Sequence, residues 1–472
     1  MHESDARLSR DCWADLKNPF RQVAGSICAP RGFKCAAVFC DIKKLGTGKG
    51  SEKGQKRDLA LIVSDTPAAV AGVFTTNQVC AAPVKISRQH ARKELARAIV
   101  VNSGNANACT GLQGLRDAET MARLAASLLD KLDRLNRSSF PTPMAAEDVL
   151  VCSTGRIGVA MPMKNVERGV RACAPQIARS TSNARQVAEA IMTTDTRRKE
   201  IAVEFKIGKS TIRIGGICKG AGMIQPGMAT MLGFITTDAA VEPSALKRAI
   251  KIAVGQSFNR ITVDGDMSTN DSVIALANGL AGNPKIVSRP ARKLDGFKPS
   301  SLQMSLSPFA RFQTALNFVC LELAKMIVRD GEGTSRFVAL HLRGARNDRE
   351  AEAAARAIAN SSLVRASWCG GDPNWGRILC ALGYSKADVD ETIVDVGYAR
   401  PGTRKILFAF RRGRPTNVAL KTLAKITAAP DFSLHVDLHR GCGEFVLYAA
   451  DLTENYVAFN KGDITDPATL GG

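Results

Sequence analysis

The sequence predicts an α+β protein made of layered mixed sheets and helices. Three observations carry that expectation. Strand-like runs and stretches of helical period are mixed along the chain, without the regular alternation of a doubly wound fold. Two segments read as β-hairpins, which calls for antiparallel or mixed sheets. A chain of 472 residues, 45% hydrophobic and 23% charged, also has enough apolar material for a large core.

The elements follow in order. Residues 1–24 read as a loosely attached extension. DLALIVSD (58–65) and GVFTTNQV (72–79) read as two strands, being β-branched, apolar and bounded by turn formers. RAIVVNSGNANACTG (97–111) is a strand that runs into an Asn/Gly-rich loop, the sort of strand end that carries function. RDAETMARLAASLLDKL (116–132) and NARQVAEAIM (183–192) have apolar positions at helical spacing. EFKIGKSTIRIGG (204–216) reads as a hairpin turning at Gly208-Lys209. SALKRAIKIAVGQSF (244–258) and FQTALNFVCLELAKMIV (312–328) read as long helices, and FSLHVDLHRGCGEFVLYAADL (432–452) as a second hairpin. Between them, residues 282–311 are rich in Pro, Ser and Lys and read as a surface insertion.

Composition narrows the function classes. No run reaches the roughly 18 consecutive apolar residues that a membrane helix requires. The polar N-terminus lacks the apolar core of a signal peptide, so a soluble cytoplasmic protein is expected. The 13 cysteines are scattered and include no C-x-x-C. Cys152, Cys218, Cys320 and Cys380 lie in apolar runs, where a free thiol packs as a small hydrophobe. A net charge of +21 raises nucleic-acid binding as a rival reading. Aromatics at 5%, no basic tail and dispersed Lys/Arg favour a solvated basic surface instead.

Several motifs fall short. LGTGKGS (45–51) has Lys43 where a phosphate loop needs its first glycine, and Gly50 where it needs Ser or Thr. His435 and His439 lack the intervening glutamate and helix of a zinc motif, so no metal is expected. Two stretches remain. In KGAGMIQPGMATML, from Lys219 to Leu232, a Gly/Pro bend precedes an Ala-Thr bond. A threonine freed as a chain N-terminus carries its own general base, the α-amine, with a pKa near ~7.7–8.0. In VCSTGRIG, from Val151 to Gly158, a strand ends in Ser-Thr-Gly and offers a hydroxyl and a bare N–H, two donors suited to an oxyanion.

Together with AGVFTTNQVCAAPV, RAIVVNSGNANACTG, AIMTTDT, FNRITVDGDMSTNDS, MIVRDGEGTSRFV and GGDPNWGRI, these blocks resemble the glutamate N-acetyltransferase family, also called ornithine acetyltransferases, of arginine biosynthesis. The resemblance runs from about Val23 to the C-terminus. It implies a self-processing acyltransferase of the N-terminal-nucleophile type, cut between Ala229 and Thr230 into chains 1–229 and 230–472, assembled two of each as a heterotetramer. Thr230 would be the nucleophile, and Thr154 and Gly155 the oxyanion hole. Thr193, Lys219, Thr230, Glu332, Asn460 and Thr465 would contact substrate. The implied reaction moves acetyl from N-acetyl-L-ornithine to L-glutamate without a cofactor, and acetyl-CoA is a second donor that the family admits. The alternative on the same chemistry is a self-cleaving N-terminal-threonine aminopeptidase or amidase, with water as acceptor. The sequence departs from the family pattern at the 282–311 insertion, at Gln225 and Gly227 (where His and Asn are frequent), and in the tail after Thr465.

Overall fold

The computed structural model describes residues 20–43, 56–135, 143–225, 231–288 and 307–461. The loop 45–51, the Ala229–Thr230 bond, Thr465 and residues 289–306 of the proposed insertion therefore lie outside the described residues.

The strands are β1 (Arg21–Gln22), β2 (Phe33–Val38), β3 (Leu59–Phe74), β4 (Leu95–Asn105), β5 (Val149–Arg156), β6 (Lys199–Ile207), β7 (Ser210–Lys219), β8 (Leu232–Thr237), β9 (Ile261–Thr262), β10 (Ser272–Ala277), β11 (Phe337–Ala345), β12 (Asp395–Ala399), β13 (Leu407–Arg411), β14 (Arg414–Pro415), β15 (Asp431–Asp437) and β16 (Gly443–Ala450). Among the described residues they form two mixed sheets. The first has the order β1-β6-β7-β8-β10-β3-β4-β5, with β2 also on β3, and the second β14-β13-β12-β15-β11-β16-β9. The expected α+β class is what the chain adopts.

β3 serves both halves of the first sheet. Leu59–Val63 pair with β2 and β4, the register then shifts, and Ala69–Phe74 pair with β10. The expected two strands are thus one, and it ends at Phe74, short of the expected TTNQV. Ile62, Val101 and Leu150 from one half meet Ile217, Phe234 and Ile274 from the other in a single buried cluster, so the halves face each other as layers. Helices Gly111–Leu135 and Met163–Cys173 bury Met121, Ala125 and Val170 on the outside of one layer. Helices Pro243–Gly255 and Pro308–Arg329 bury Ile250, Leu316 and Leu323 on the outside of the other. Helix, sheet, sheet, helix is the resulting order. The second sheet packs helix Asp348–Ala359 around its own core, which centres on Trp368 and Phe432.

Three further expectations need amendment. The β6–β7 hairpin forms as expected, with Gly208 at φ +59. The second hairpin does not form, because β11 lies between β15 and β16, parallel to one and antiparallel to the other. Both strands have the right alternation, but two edges of β11 are available to them, and each strand takes one. Cys380 is exposed, unlike buried Cys152, Cys218 and Cys320, because its helix turns Ile378, Ala381 and Leu382 inward instead. The end of the N-terminal extension is tied down: Val23 N–H donates to Ala202 O at 2.9 Å, and Phe20 packs on Phe318 with ring centroids 4.6 Å apart. None of the described helices is long and apolar enough to cross a membrane.

Candidate active site

β7 ends at Lys219, which is in register with Leu232 at the start of β8, so the KGAGMIQPGMAT segment connects two adjacent antiparallel strands. Its first part is held in place by a carboxylate. Asp264 accepts hydrogen bonds from the N–H of Met223 at 2.5 Å and of Ile224 at 2.8 Å, with Met223 at φ +57. Gly222 leaves room for Glu332: a Cβ there would lie 2.4 Å from the Glu332 carboxyl carbon. Glu332 N–H donates to Ala221 O at 2.9 Å, and Glu332 Oε2 accepts from Asn460 Nδ2 at 3.0 Å. Asn460 closes helix Glu454–Asn460, which Thr453 anchors by donating its hydroxyl to Gly333 O at 2.7 Å. Lys219 is only 3% exposed. Burial lowers its pKa, against the pull of Asp195, Glu332 and Asp271.

Beneath this lies a buried ionic cluster. Lys199, 1% exposed at the start of β6, places Nζ 2.6 Å from Asp195 Oδ1 and 2.5 Å from Asp330 Oδ2. Asp195 also accepts from Thr193 N–H at 3.0 Å and Gly220 N–H at 2.7 Å. Asp330 accepts from Thr196 N–H at 3.1 Å, Arg197 N–H at 3.2 Å and the Thr196 hydroxyl. Burial alone would raise Asp195, but the charges of Lys199 and Lys219 outweigh it and bring the carboxyl down to about 2. Burial likewise works against Lys199, whose two carboxylates nevertheless raise it above the ordinary lysine value. One lysine thereby ties together the turns that bear Thr193, Lys219 and Glu332.

Thr154 and Gly155 end β5, in parallel register with Ser103 and Gly104 of β4, where the pairing shifts at Asn105. Gly155 has φ +128, and a Cβ there would lie 2.3 Å from the Gly104 carbonyl carbon, so only glycine fits. Gly104 in turn abuts Lys43, 2.6 Å from its own hypothetical Cβ to the Lys43 Cα. Buried Lys43 donates to Arg57 O at 2.8 Å. Burial brings Lys43 down to about 8; Asp58 and Asp195 oppose that shift, while Lys56 and Lys219 add to it. Across the layers, Asn270 Nδ2 donates to Ala106 O at 2.6 Å and Ser153 O at 2.9 Å. Its neighbour Asp271 accepts from Met231 N–H at 2.7 Å.

The structure therefore brings Lys219, Glu332 and Asn460 together and links Thr193 to them through Asp195. Thr154 and Gly155 join the same region through Lys43 on one side and Asn270 on the other. Thr230, Ala229 and Thr465 lie outside the described residues, but Thr230 is bonded to Met231, whose N–H Asp271 holds. Sequence reasoning assigned no role to Lys199, Asp195, Asp330, Asn270 or Asp271, although each stands in or beside a motif block. For Asp195 and Asp330 the available signal was an aspartate beside Thr or Gly at the end of an element. Among the described residues, no cluster of three or more His, Cys, Asp or Glu is arranged to hold a metal.

Comparison with known proteins fits this arrangement to a class: the chain is an acyltransferase of arginine biosynthesis. Residues 36–462 match the ArgJ family model, and the chain belongs to that family. It is 44% identical over 438 residues to the arginine biosynthesis bifunctional protein ArgJ of Symbiobacterium thermophilum, covering 93% of this chain and 98% of that one. It is 39% identical over 447 residues to the glutamate N-acetyltransferase of Methanocaldococcus jannaschii, with the same two coverages of 93% and 98%. A crystal structure of ArgJ from Bacillus halodurans is 35% identical, covers 48% of this chain and 97% of its own, and superposes with a TM-score of 0.42.

Lys199→Met tests the ionic cluster. It leaves two buried carboxylates without their cation, a loss of about 3–5 kcal/mol. Urea denaturation should show that loss, and a change below about 1 kcal/mol, the scale of an exposed pair, would contradict the arrangement.

Proposed function

We propose that the protein transfers acetyl from N-acetyl-L-ornithine to L-glutamate through a threonyl acetyl-enzyme. One observation carries this reading most directly: a buried lysine, Lys219, and a carboxylate–amide pair, Glu332 with Asn460, flank the connection that contains Thr230. Glutamate brings carboxylates for the lysine, and acetylornithine brings a side-chain ammonium for Glu332. Thr193 and Thr465 complete the substrate contacts.

Activation is autoproteolytic. The Thr230 hydroxyl attacks the Ala229 carbonyl carbon, the acyl group shifts from nitrogen to oxygen, and water hydrolyses the ester. Chains 1–229 and 230–472 result, and two of each form the cytoplasmic enzyme. β7 and β8 lie on opposite sides of the cut, and their pairing supports the view that the pieces stay together.

In turnover, the freed α-amine takes the hydroxyl proton as Thr230 Oγ bonds the acetyl carbon. The carbonyl electron pair moves to oxygen, and Thr154 with the Gly155 N–H stabilises that oxyanion. One such donor is worth about 2.7–4 kcal/mol. The C–N bond then breaks, ornithine nitrogen takes the proton from the ammonium, and the acetyl ester remains. Glutamate nitrogen attacks the ester by the reverse sequence and leaves as N-acetylglutamate. The word "bifunctional" in the name of the Symbiobacterium relative supports acetyl-CoA as a second donor to the same threonine.

The decisive variant is Thr230→Ala. Denaturing mass spectrometry should find wild-type protein as two fragments, the second beginning at Thr230, and Thr230→Ala as one uncut, inactive chain. An uncut variant with full acetyl transfer would sink the reading. Glu332→Gln should raise KM for acetylornithine by roughly 10- to 100-fold, the value of a charge-assisted hydrogen bond, and leave glutamate use nearly unchanged. An equal loss for both substrates would make Glu332 a structural residue instead.

A further inference from the structure

We propose that Cys28 and Cys35 form a dithiol pair that hydroperoxides oxidise to a disulfide, with Cys28 attacking and Cys35 resolving. The proposal is independent of the Thr230 reading. Three observations support it. The two sulfurs lie 3.3 Å apart, brought together from the short helical turn Ser26–Cys28 and from β2. Cys28 retains 5% exposure and Cys35 none, so a small oxidant meets Cys28 first. A cation is held beside Cys28: the Arg179 guanidinium donates to Cys28 O and to Ala29 O, each at 3.3 Å.

The cover over the pair is thin. Cys35 N–H donates to Ala178 O at 3.1 Å, and Ala178 N–H donates to Cys35 O at 3.2 Å. This is an isolated bridge, reinforced by Asn183 Nδ2 donating to Cys35 O at 2.8 Å, and Ala178 and Arg179 are exposed. A segment with so few buried contacts opens at far lower cost than the whole protein, and opening it uncovers the thiols. A disulfide needs its sulfurs about 2.05 Å apart, so a side-chain movement of roughly 1 Å closes the bond. The bond staples the two layers of the first sheet. Thr236 of β8 donates its hydroxyl to Ile27 O at 2.8 Å, which ties the Cys28 turn to one layer, while Cys35 pairs with Ile62 of β3 in the other.

The surroundings separate the two roles. The Cys28 thiol is lowered, first because the Cys35 S–H donates to its sulfur; burial opposes this, and the Ser180 N–H and Arg179 add to it. The same hydrogen bond, together with burial, raises Cys35 well above the ordinary thiol value. Burial pushes Cys152 and Cys173 up to about 12. The thiolate is the reacting species, so Cys28 is favoured over these other buried thiols. In the first step the Cys28 thiolate attacks the terminal oxygen of a hydroperoxide, ROOH. The S–O bond forms, the O–O bond breaks, and the thiol proton leaves on ROH, giving a sulfenic acid at Cys28. In the second step the Cys35 sulfur attacks that sulfur, its proton joins the departing hydroxide, and water leaves. Two thiols and one hydroperoxide thus give one disulfide, ROH and water, with two electrons passing from sulfur to the peroxide.

The test treats the whole, fully reduced protein with hydrogen peroxide, alkylates the remaining thiols in denaturant and maps the peptides by mass. The expected result is a Cys28–Cys35 link, two hydrogens lighter than the dithiol and reversed by dithiothreitol. It should form at least about tenfold faster than Cys152 or Cys320 is oxidised, the ratio of thiolate that one pH unit of pKa difference sets. In Cys35→Ser, which lacks the resolving thiol, dimedone should label Cys28 as the trapped sulfenic acid. In Cys28→Ser, Cys35 should stay unlabelled. Cys28 and Cys35 still alkylated once Cys152 and Cys320 have reacted overturns the proposal, as does Cys28 linked preferentially to any other cysteine. Dimedone on Cys35 in Cys28→Ser, at the rate seen for Cys28 in Cys35→Ser, overturns it too. Where a serine variant does not fold, the wild-type map decides alone, since it needs no substitution.

Discussion

Lys199 sits inside the protein with a carboxylate on each side, Asp195 at 2.6 Å and Asp330 at 2.5 Å, and much of the site hangs from that arrangement. A buried lysine is tolerated only when paired, and a buried carboxylate only when its lone pairs are satisfied. The backbone N–H groups of Thr193, Gly220, Thr196 and Arg197 supply the remaining partners. Because those donors lie in separate turns, satisfying the ions fixes the turns relative to one another. Asp195 and Lys199 precede Thr230 in sequence while Asp330 follows it, so the same ion pair spans the proposed cut. Together with the β7–β8 ladder, it gives two chains a reason to remain one body.

The site's cations are graded by their surroundings. Lys199 is held charged by two carboxylates, whereas burial brings Lys43 down to about 8 and lowers Lys219 as well. A lysine with incomplete compensation inside the protein is well placed to receive a carboxylate from outside, because the incoming charge supplies what the fold withholds.

Much of this was legible in the sequence. Helical periodicity marked the segments that became helices Gly111–Leu135, Thr181–Ala190, Pro243–Gly255 and Pro308–Arg329, since one buried face leaves a regular trace. The turn at Gly208 was legible because left-handed backbone selects glycine. Strand partnership was not. Alternation in β15 and β16 shows that each has a buried face but not which edge each pairs with, and β11 from about ninety residues upstream takes the place between them. Lys219, Glu332 and the Thr154-Gly155 pair stood out through their motifs. Lys199 did not, because a lysine in TRRKEI reads as surface until the fold encloses it.

The central claim is that acetyl passes through covalent attachment to Thr230. Mixing the protein with N-acetylornithine in the absence of glutamate, quenching in acid and mapping the fragments by mass measures this directly. The account predicts one added acetyl group on the peptide that begins with Thr230, lost again when glutamate is supplied before the quench. Acetyl found on another residue, or N-acetylglutamate formed at full rate with no acetyl ever present on that peptide, would contradict it.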